Sequence, residues 1–566
     1  MIILPRMIRF FGNRPNAIRP ILCHSASALA ICACGLFLHD SAAWAQADTS
    51  IMDDSFGDMD DFLEADVPAD APSLQDLLEE TAETSTINGD IDGDMGIDDM
   101  DALMEGDLDD TSPSATPENK NAAEEEPRKT GGLYTLFHNA SGTLKVVSTH
   151  YLETPNTRGG SNYVEDDDVE LWSHLQLRTS AGLTDAVSVD ISLDGVYSSY
   201  DKTQRGVFRG MRSKDERESF LDINEAYLTY TGETIDAFVG KKKIGFGVAE
   251  YFNPTDLYAR TDNATPLLGI TQGTWQASLT YYLEQDNISF FVMPDTGVTA
   301  SMPDQSRWIG GSGDSTFSSV DLAGGYSTNS STEYISAIGT AHPRDWGYLI
   351  SYKGIESSLD YFVNAYHGQA PYPVLRAPDN LVVNLQGELG SVVKYKPIAN
   401  ILSGGISKVY DGWKFYSEGY IQLTENDQDD NYAKFVFGFK YRETNFANSI
   451  GLDEITPIAE WSDEHILNRV ETSANGILAS SESARPFRKN MMLGLQIKPN
   501  SHWDLGAAMN RSFLNSDLAT TWFATYRPND NLSLKAQVNT FDGKEDDHFG
   551  RWAHNDTLQL GLEYKF

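Results

Sequence analysis

At the end of the chain Leu558, Leu560, Leu562, Tyr564 and Phe566 alternate with Gln559, Gly561, Glu563 and Lys565. Successive side chains of a strand point to opposite faces, so this stretch is a strand with one apolar face, ending on an aromatic residue. The alternation recurs upstream. Val187, Val189, Ile191 and Leu193 interleave with Ser188, Asp190, Ser192 and Asp194. Leu532, Leu534, Ala536 and Val538 interleave with Ser533, Lys535, Gln537 and Asn539. Read through the chain, the pattern predicts eighteen strands, starting near residues 143, 169, 186, 219, 234, 274, 287, 345, 356, 397, 412, 432, 453, 488, 502, 518, 531 and 556. Sixteen is the alternative count.

The connections are unequal. Gly182-Leu183-Thr184-Asp185, Thr231-Gly232-Glu233, Asp411-Gly412 and Pro528-Asn529-Asp530 are tight turns, whereas 154–168, 201–218, 248–273, 295–344, 368–396, 465–487 and 543–555 are long. Short turns on one side and long loops on the other suit a barrel whose two ends are functionally distinct. No stretch after Leu38 reaches the ~18 consecutive apolar residues of a membrane helix. The expected fold class is therefore all-β: a transmembrane antiparallel β-barrel, the closed form in which a sheet can meet lipid. A secreted sandwich or solenoid also alternates, but it explains neither the terminal Phe566 nor the loop asymmetry.

Composition divides the chain in three. Arg6, Arg9, Arg14 and Arg19 precede an apolar run, Ala26 to Leu38, and then Ala43-Trp44-Ala45. This reads as a secretory signal over 1–45, cut after Ala45 or Ala47. It contains all three cysteines, Cys23, Cys32 and Cys34; a transmembrane anchor, for which the run is short, and a lipid anchor at Cys34 are the competing readings. Residues 46–130 form an acidic segment, with 27 Asp and Glu against Lys120 alone between 48 and 127, out of a net charge of −41. Such a composition cannot offset its ordering entropy, so mostly disordered chain is expected there. Asp60–Leu63 and Leu74–Leu78 are short islands suited to helix formation on binding. The barrel is expected over 131–566. The negative charge disfavours nucleic acid as a partner.

A strand that ends the chain on an aromatic residue resembles bacterial outer-membrane barrel proteins, in which the terminal aromatic is read by the assembly machinery. That resemblance implies outer-membrane localisation, lipid and the barrel-assembly machinery as partners, and short turns facing the periplasm. A second likeness lies in Asn224-Glu225-Ala226-Tyr227-Leu228, Gly240-Lys241-Lys242-Lys243-Ile244-Gly245-Phe246-Gly247 and Asn253-Pro254-Thr255-Asp256. This is similar to porin-like proteins of the carbohydrate and alginate-export type, with Lys241-Lys242 where Arg-Gln is usual and Phe246 where Trp is usual. It implies passive passage of small polar or saccharide-like solutes.

In a barrel the polar strand face lines the lumen. Candidate pore residues are Arg178, Asp190, Asp194, Lys241, Lys242, Lys243, Lys414, Glu418, Arg527 and Lys535, with Glu170, His174, Gln176, Lys440, Lys498, Gln537, Glu563 and Lys565 on the same expected face. The alternative is a plugged docking barrel whose acidic segment binds a periplasmic partner. Loop 295–344, with Gly310-Gly311-Ser312-Gly313 and a helical reading of Thr332–Ser336, is expected either to fold inward or to form a surface flap. Glu165–Asp168 and Asp427, Asp429 and Asp430 are expected in external loops, solvated or bridged by divalent cations. Asn88, Asp90, Asp92, Asp94 and Asp99 have the spacing of a calcium loop, with Gly93 at its sixth position; calcium is the one cofactor considered. No G-x-S-x-G, H-E-x-x-H or P-loop occurs, so no enzyme is expected.

Overall fold

The computed structural model of the chain describes residues 140–566 except 155–166, 200–203, 209–216, 263, 265, 295–301, 303–305, 309–321, 329–331, 338–342, 344–345, 357, 473–475 and 545–546. These residues belong to the compact unit Thr86–Phe566. The signal segment, the acidic segment with its two islands, and the calcium-loop residues lie outside the described residues.

The main sheet has 19 strands. Eighteen of them close into an antiparallel barrel, each pairing with the next, from Ser141–Tyr151 to Thr557–Lys565. Closure is direct: Thr143 lies opposite Lys565 and Tyr151 opposite Thr557. The nineteenth, Gln204–Val207, adds in parallel on Glu218–Thr231. Every expected strand start falls within three residues of an observed one.

The pleat sorts side chains as the alternation requires. Ser192, Ser278, Asn364, Ser403, Gln422, Asn539 and Gln559 are buried, while Val239, Phe290, Val363, Leu402, Phe437, Trp522 and Leu560 are exposed. An apolar exterior on a sheet with no free edge is what lipid solvates. Among the described residues no helix is long and apolar enough to cross a membrane.

Phe566 completes the seam. Its N–H donates to Gly142 O at 2.9 Å, and its carbonyl accepts from Gly142 N at 2.8 Å. Its ring stacks on Tyr564 at 6.0 Å and covers Gly142 so closely that a Cβ there would run into it.

The connections alternate as expected except that 425–430 and 513–517 are short on the long side and one connection on the short side is long. Residues 442–453 carry a five-residue helix, Asn445–Ser449. At the opposite end the loops build their own four-stranded sheet from Glu333–Ser336, Ser391–Tyr395, Val374–Arg376 and Ile477–Ala479. The helical reading of Thr332–Ser336 is thus corrected: Glu333–Ser336 is a strand, paired in parallel with Ser391–Tyr395. Leu375, Leu389, Val392 and Leu478 form the buried core of this loop sheet, and pairing with distant loops outweighs the local helical pattern.

Candidate functional site

The connection after Ile235–Lys242 crosses the lumen. Ile235–Lys242 is the fifth barrel strand, yet the loop bonds to the eleventh and thirteenth, Trp413–Thr424 and Glu454–Asn468. Two buried carboxylates hold it. Glu418 accepts from Val248 N at 2.5 Å, Ala249 N at 3.3 Å and Thr255 Oγ1 at 3.0 Å. Glu460 accepts from Glu250 N at 2.7 Å, Tyr251 N at 2.8 Å and Phe252 N at 3.1 Å. Tyr416 Oη adds a donor to Glu460 at 2.7 Å. Buried backbone N–H groups need acceptors, and here the opposite wall supplies them.

Apolar packing fixes the rest of the loop. Phe246 meets Tyr258 edge-on at 5.9 Å and Phe291 at 6.0 Å, and Phe252 meets Phe487 at 4.9 Å. The motif glycines have local reasons. Gly240 sits at φ 143°, where a side chain is disfavoured. A Cβ on Gly247 would collide with Asn253, so the two ends of the motif are packed against each other.

Toward the short-turn mouth the wall is charged. Glu250, on the crossing loop, accepts from Lys414 at 2.7 Å and Lys440 at 3.1 Å. Glu454 pairs with Arg442 at 2.6 Å and Lys498 at 3.7 Å. Glu563 lies 3.7 Å from Lys145 and 3.6 Å from Lys565. Asp504 lies 3.9 Å from Arg527, and Lys535 stands in the same register row, on the far side of Thr525. These charged pairs, among the described residues, lie on nine consecutive strands that run from Trp413–Thr424 through the seam to Ser141–Tyr151, and the short turns of the same end carry Asp411, Glu443, Asp453 and Asp530. Next to them, from Ser141–Tyr151 onward, a polar cavity of about 220 Å³ is lined by Ser141, Arg178, Asp190, Ser192, Glu225 and Tyr227, among others.

The sequence-predicted residues are distributed as follows. Arg178 and Asp190 line that cavity, with Arg178 4.0 Å from Glu225. Asp194 is buried in the wall, accepting from Asn224 at 2.5 Å and Gln176 at 3.3 Å. Lys241 is buried and donates to Ile223 O at 2.6 Å. Lys242 places Nζ 4.8 Å from both the Tyr227 and Phe238 rings. Lys243 donates its backbone N–H to Glu225 at 3.1 Å. Lys414, Arg527 and Lys535 belong to the charged mouth, and Glu418 anchors the crossing loop. Sequence reasoning missed Glu460 and Glu250 altogether. The available signal was the apolar content of the loop itself: Ile244, Phe246, Tyr251, Phe252 and Tyr258 do not suit a solvated connection.

No family model matches the chain, and no curated protein matches it either. Solved structures do. A mutant of the Rh. blastica porin is 11% identical, with a TM-score of 0.34 over 75% of this chain and 99% of its own. A BenF-like porin from Pseudomonas fluorescens Pf-5 is 10% identical, with a TM-score of 0.42 over 76% and 97%. Acinetobacter baumannii OccAB3 is 10% identical, with a TM-score of 0.43 over 76% and 99%.

At the long-loop end the interior is packed. Trp308, from the described part of loop 295–344, sits in a buried cluster with Tyr151, Phe541, Phe549 and Trp552, and Trp552 Nε1 donates to Trp308 O at 2.7 Å. This part of the loop therefore reaches inward as well, beside the crossing loop 243–273. Asp429 and Asp430 are buried rather than solvated. Asp429 accepts from Ser481 N at 2.8 Å, and Asp430 pairs with Arg485 at 3.3 Å, which also binds Glu464 at 2.8 Å. Burial pushes the Asp429 carboxyl up to about 6. His548 lies against Phe549 at 4.8 Å and Trp552 at 5.9 Å; burial, with Arg551 nearby, lowers its pKa to about 3. Among the described residues no group of three or more His, Cys, Asp or Glu is placed to hold a metal ion.

Proposed function

We propose that this chain is a bacterial outer-membrane channel for passive passage of small polar solutes, saccharide-like or anionic. One observation carries the reading: the short-turn mouth gathers Lys145, Lys414, Lys440, Arg442, Lys498, Arg527, Lys535 and Lys565 around four carboxylates. Cations set in the lumen wall beside carboxylates impose a field on a passing polar solute and stabilise an anion at close range. The crossing loop narrows the path beyond it. The apolar exterior and the signal-like leader support placement in the outer membrane, with the short turns in the periplasm.

Net chain charge does not oppose anion preference. Of the −41 total, −26 lies between residues 48 and 127, and screening over roughly 8–10 Å at physiological salt separates it from the constriction unless it is held there. Reversal potential under a salt gradient tests the reading, with Lys242→Glu and Lys414→Glu as probes. Anion preference that weakens in both variants is expected. Cation preference unchanged by either substitution removes these lysines from the path.

A second reading is a docking barrel with a plugged lumen. The buried aromatic packing of Trp308, Phe549 and Trp552 at the long-loop end favours it. A correctly folded protein that does not conduct supports that reading.

A further inference from the structure

We infer that the cavity at the foot of the crossing loop is a binding subsite for zwitterionic solutes, which carry an ammonium and a carboxylate a few atoms apart. It rests on the channel reading for the route by which a solute arrives. Arg178, Ser192 and Glu225 stand in one register row across three neighbouring strands. With Ser192 between them, Arg178 and Glu225 come no closer than 4.0 Å, against 2.7 Å for Lys414 and Glu250. Ser192 is only 2% exposed, and its Oγ has no hydrogen-bond partner. A buried hydroxyl left without a partner marks a place for one. Asp190 is two residues from Ser192, hence on the same strand face, and lies opposite Tyr227. Lys242 places Nζ 4.8 Å from the Tyr227 ring. Lys243, where the crossing loop starts, donates its backbone N–H to Glu225 at 3.1 Å, so the cavity adjoins the constriction.

The ligand class follows from the lining. The space of about 220 Å³ is many times the ~10–15 Å³ that one water needs, so it admits a solute of several heavy atoms. Arg178, Asp190 and Glu225 all line it, so both signs of charge face one small volume. A simple anion entering it meets two carboxylates. A simple cation meets Arg178, with Lys242 beside Tyr227. Each is disfavoured by a like charge, and discrimination of this kind needs no added attraction. A solute that bears both charges gives every group an opposite one. Its ammonium goes to Asp190 and Glu225, its carboxylate to Arg178, and the Ser192 hydroxyl donates to that carboxylate. Such charge-assisted hydrogen bonds are the stronger kind. No surplus of either sign is required. The bound solute has no net charge, so it leaves the anion preference of the path as it stands.

The test titrates alanine, propionate and ethylamine into the full chain folded in detergent and follows binding by saturation-transfer NMR. The three probes are of nearly one size and carry both charges, the negative one alone and the positive one alone. Alanine is expected to bind at millimolar concentration, and propionate and ethylamine each at least about tenfold more weakly. Asp190→Asn, with folding checked by heat-modifiable mobility, should weaken alanine by about tenfold and should not weaken propionate, because it removes a negative neighbour. Should that variant misfold, Glu225→Gln makes the same comparison. Propionate or ethylamine binding as tightly as alanine, no binding of alanine, or full alanine affinity in whichever variant folds overturns the inference. The readout is independent of conduction. A silent barrel that binds alanine selectively counts against the channel and not the subsite; a conducting barrel that does not distinguish the three probes counts against the subsite alone.

Discussion

Three residues decide most of what distinguishes this barrel. Phe566 and Gly142 exchange a reciprocal pair of backbone hydrogen bonds, extending by one residue the ladder from Tyr151–Thr557 to Thr143–Lys565 that closes the barrel. Phe566→Asp removes the aromatic ring from the exposed face while keeping the backbone. We expect a marked loss of the heat-modifiable folded form, and wild-type amounts of it would contradict the seam account. Glu460 is the third. Glu460→Ala leaves the N–H groups of Glu250, Tyr251 and Phe252 without their acceptor, at about 1–3 kcal/mol for each that stays buried. Amide exchange across 248–255 should rise while the barrel strands remain protected. Unchanged exchange would mean that aromatic packing alone holds the loop.

At the level of elements, strands and loops differ in what the sequence discloses. Strand positions were legible to within three residues because the period-two pattern is local: Val187 to Asp194 declares its two faces without reference to anything else. The crossing loop was not. Glu418 and Glu460 meet it from 163 to 210 residues away, and alternation marks them only as inward-facing. Loop 295–344 drew attention by its length, whereas loop 243–273 crosses because its apolar residues find partners on three walls. The external acids failed for the same reason: Asp429 and Asp430 read as solvated until Ser481 and Arg485 are brought beside them.

His548 gives this level its pH dependence. Its folded pKa, about 3, lies below the ordinary 6.5, so the unfolded loop binds the proton more readily. The contribution of His548 to stability is whole above pH 6.5 and falls as pH drops toward 3. Exchange in 543–556 should therefore accelerate on acidification in the wild type, and less so in His548→Phe, which keeps an aromatic ring between Phe549 and Trp552. Equal acid sensitivity in both would place the titrating group elsewhere.

For the whole molecule, the closed eighteen-strand barrel follows an acidic stretch of sequence that shares none of its alternation. Deleting 48–127 should leave the heat-modifiable barrel intact; failure to assemble would make that segment part of the fold. Calcium binding at Asn88, Asp90, Asp92, Asp94 and Asp99 is tested separately by titrating a 70–110 peptide, where millimolar or tighter binding supports it. The central claim, that this barrel conducts, is tested most directly by planar-bilayer recording of the refolded full chain. The account predicts stable stepwise conductance with a reversal potential that favours anions; a protein that is folded by heat-modifiable mobility, inserts in the bilayer and stays silent would contradict it.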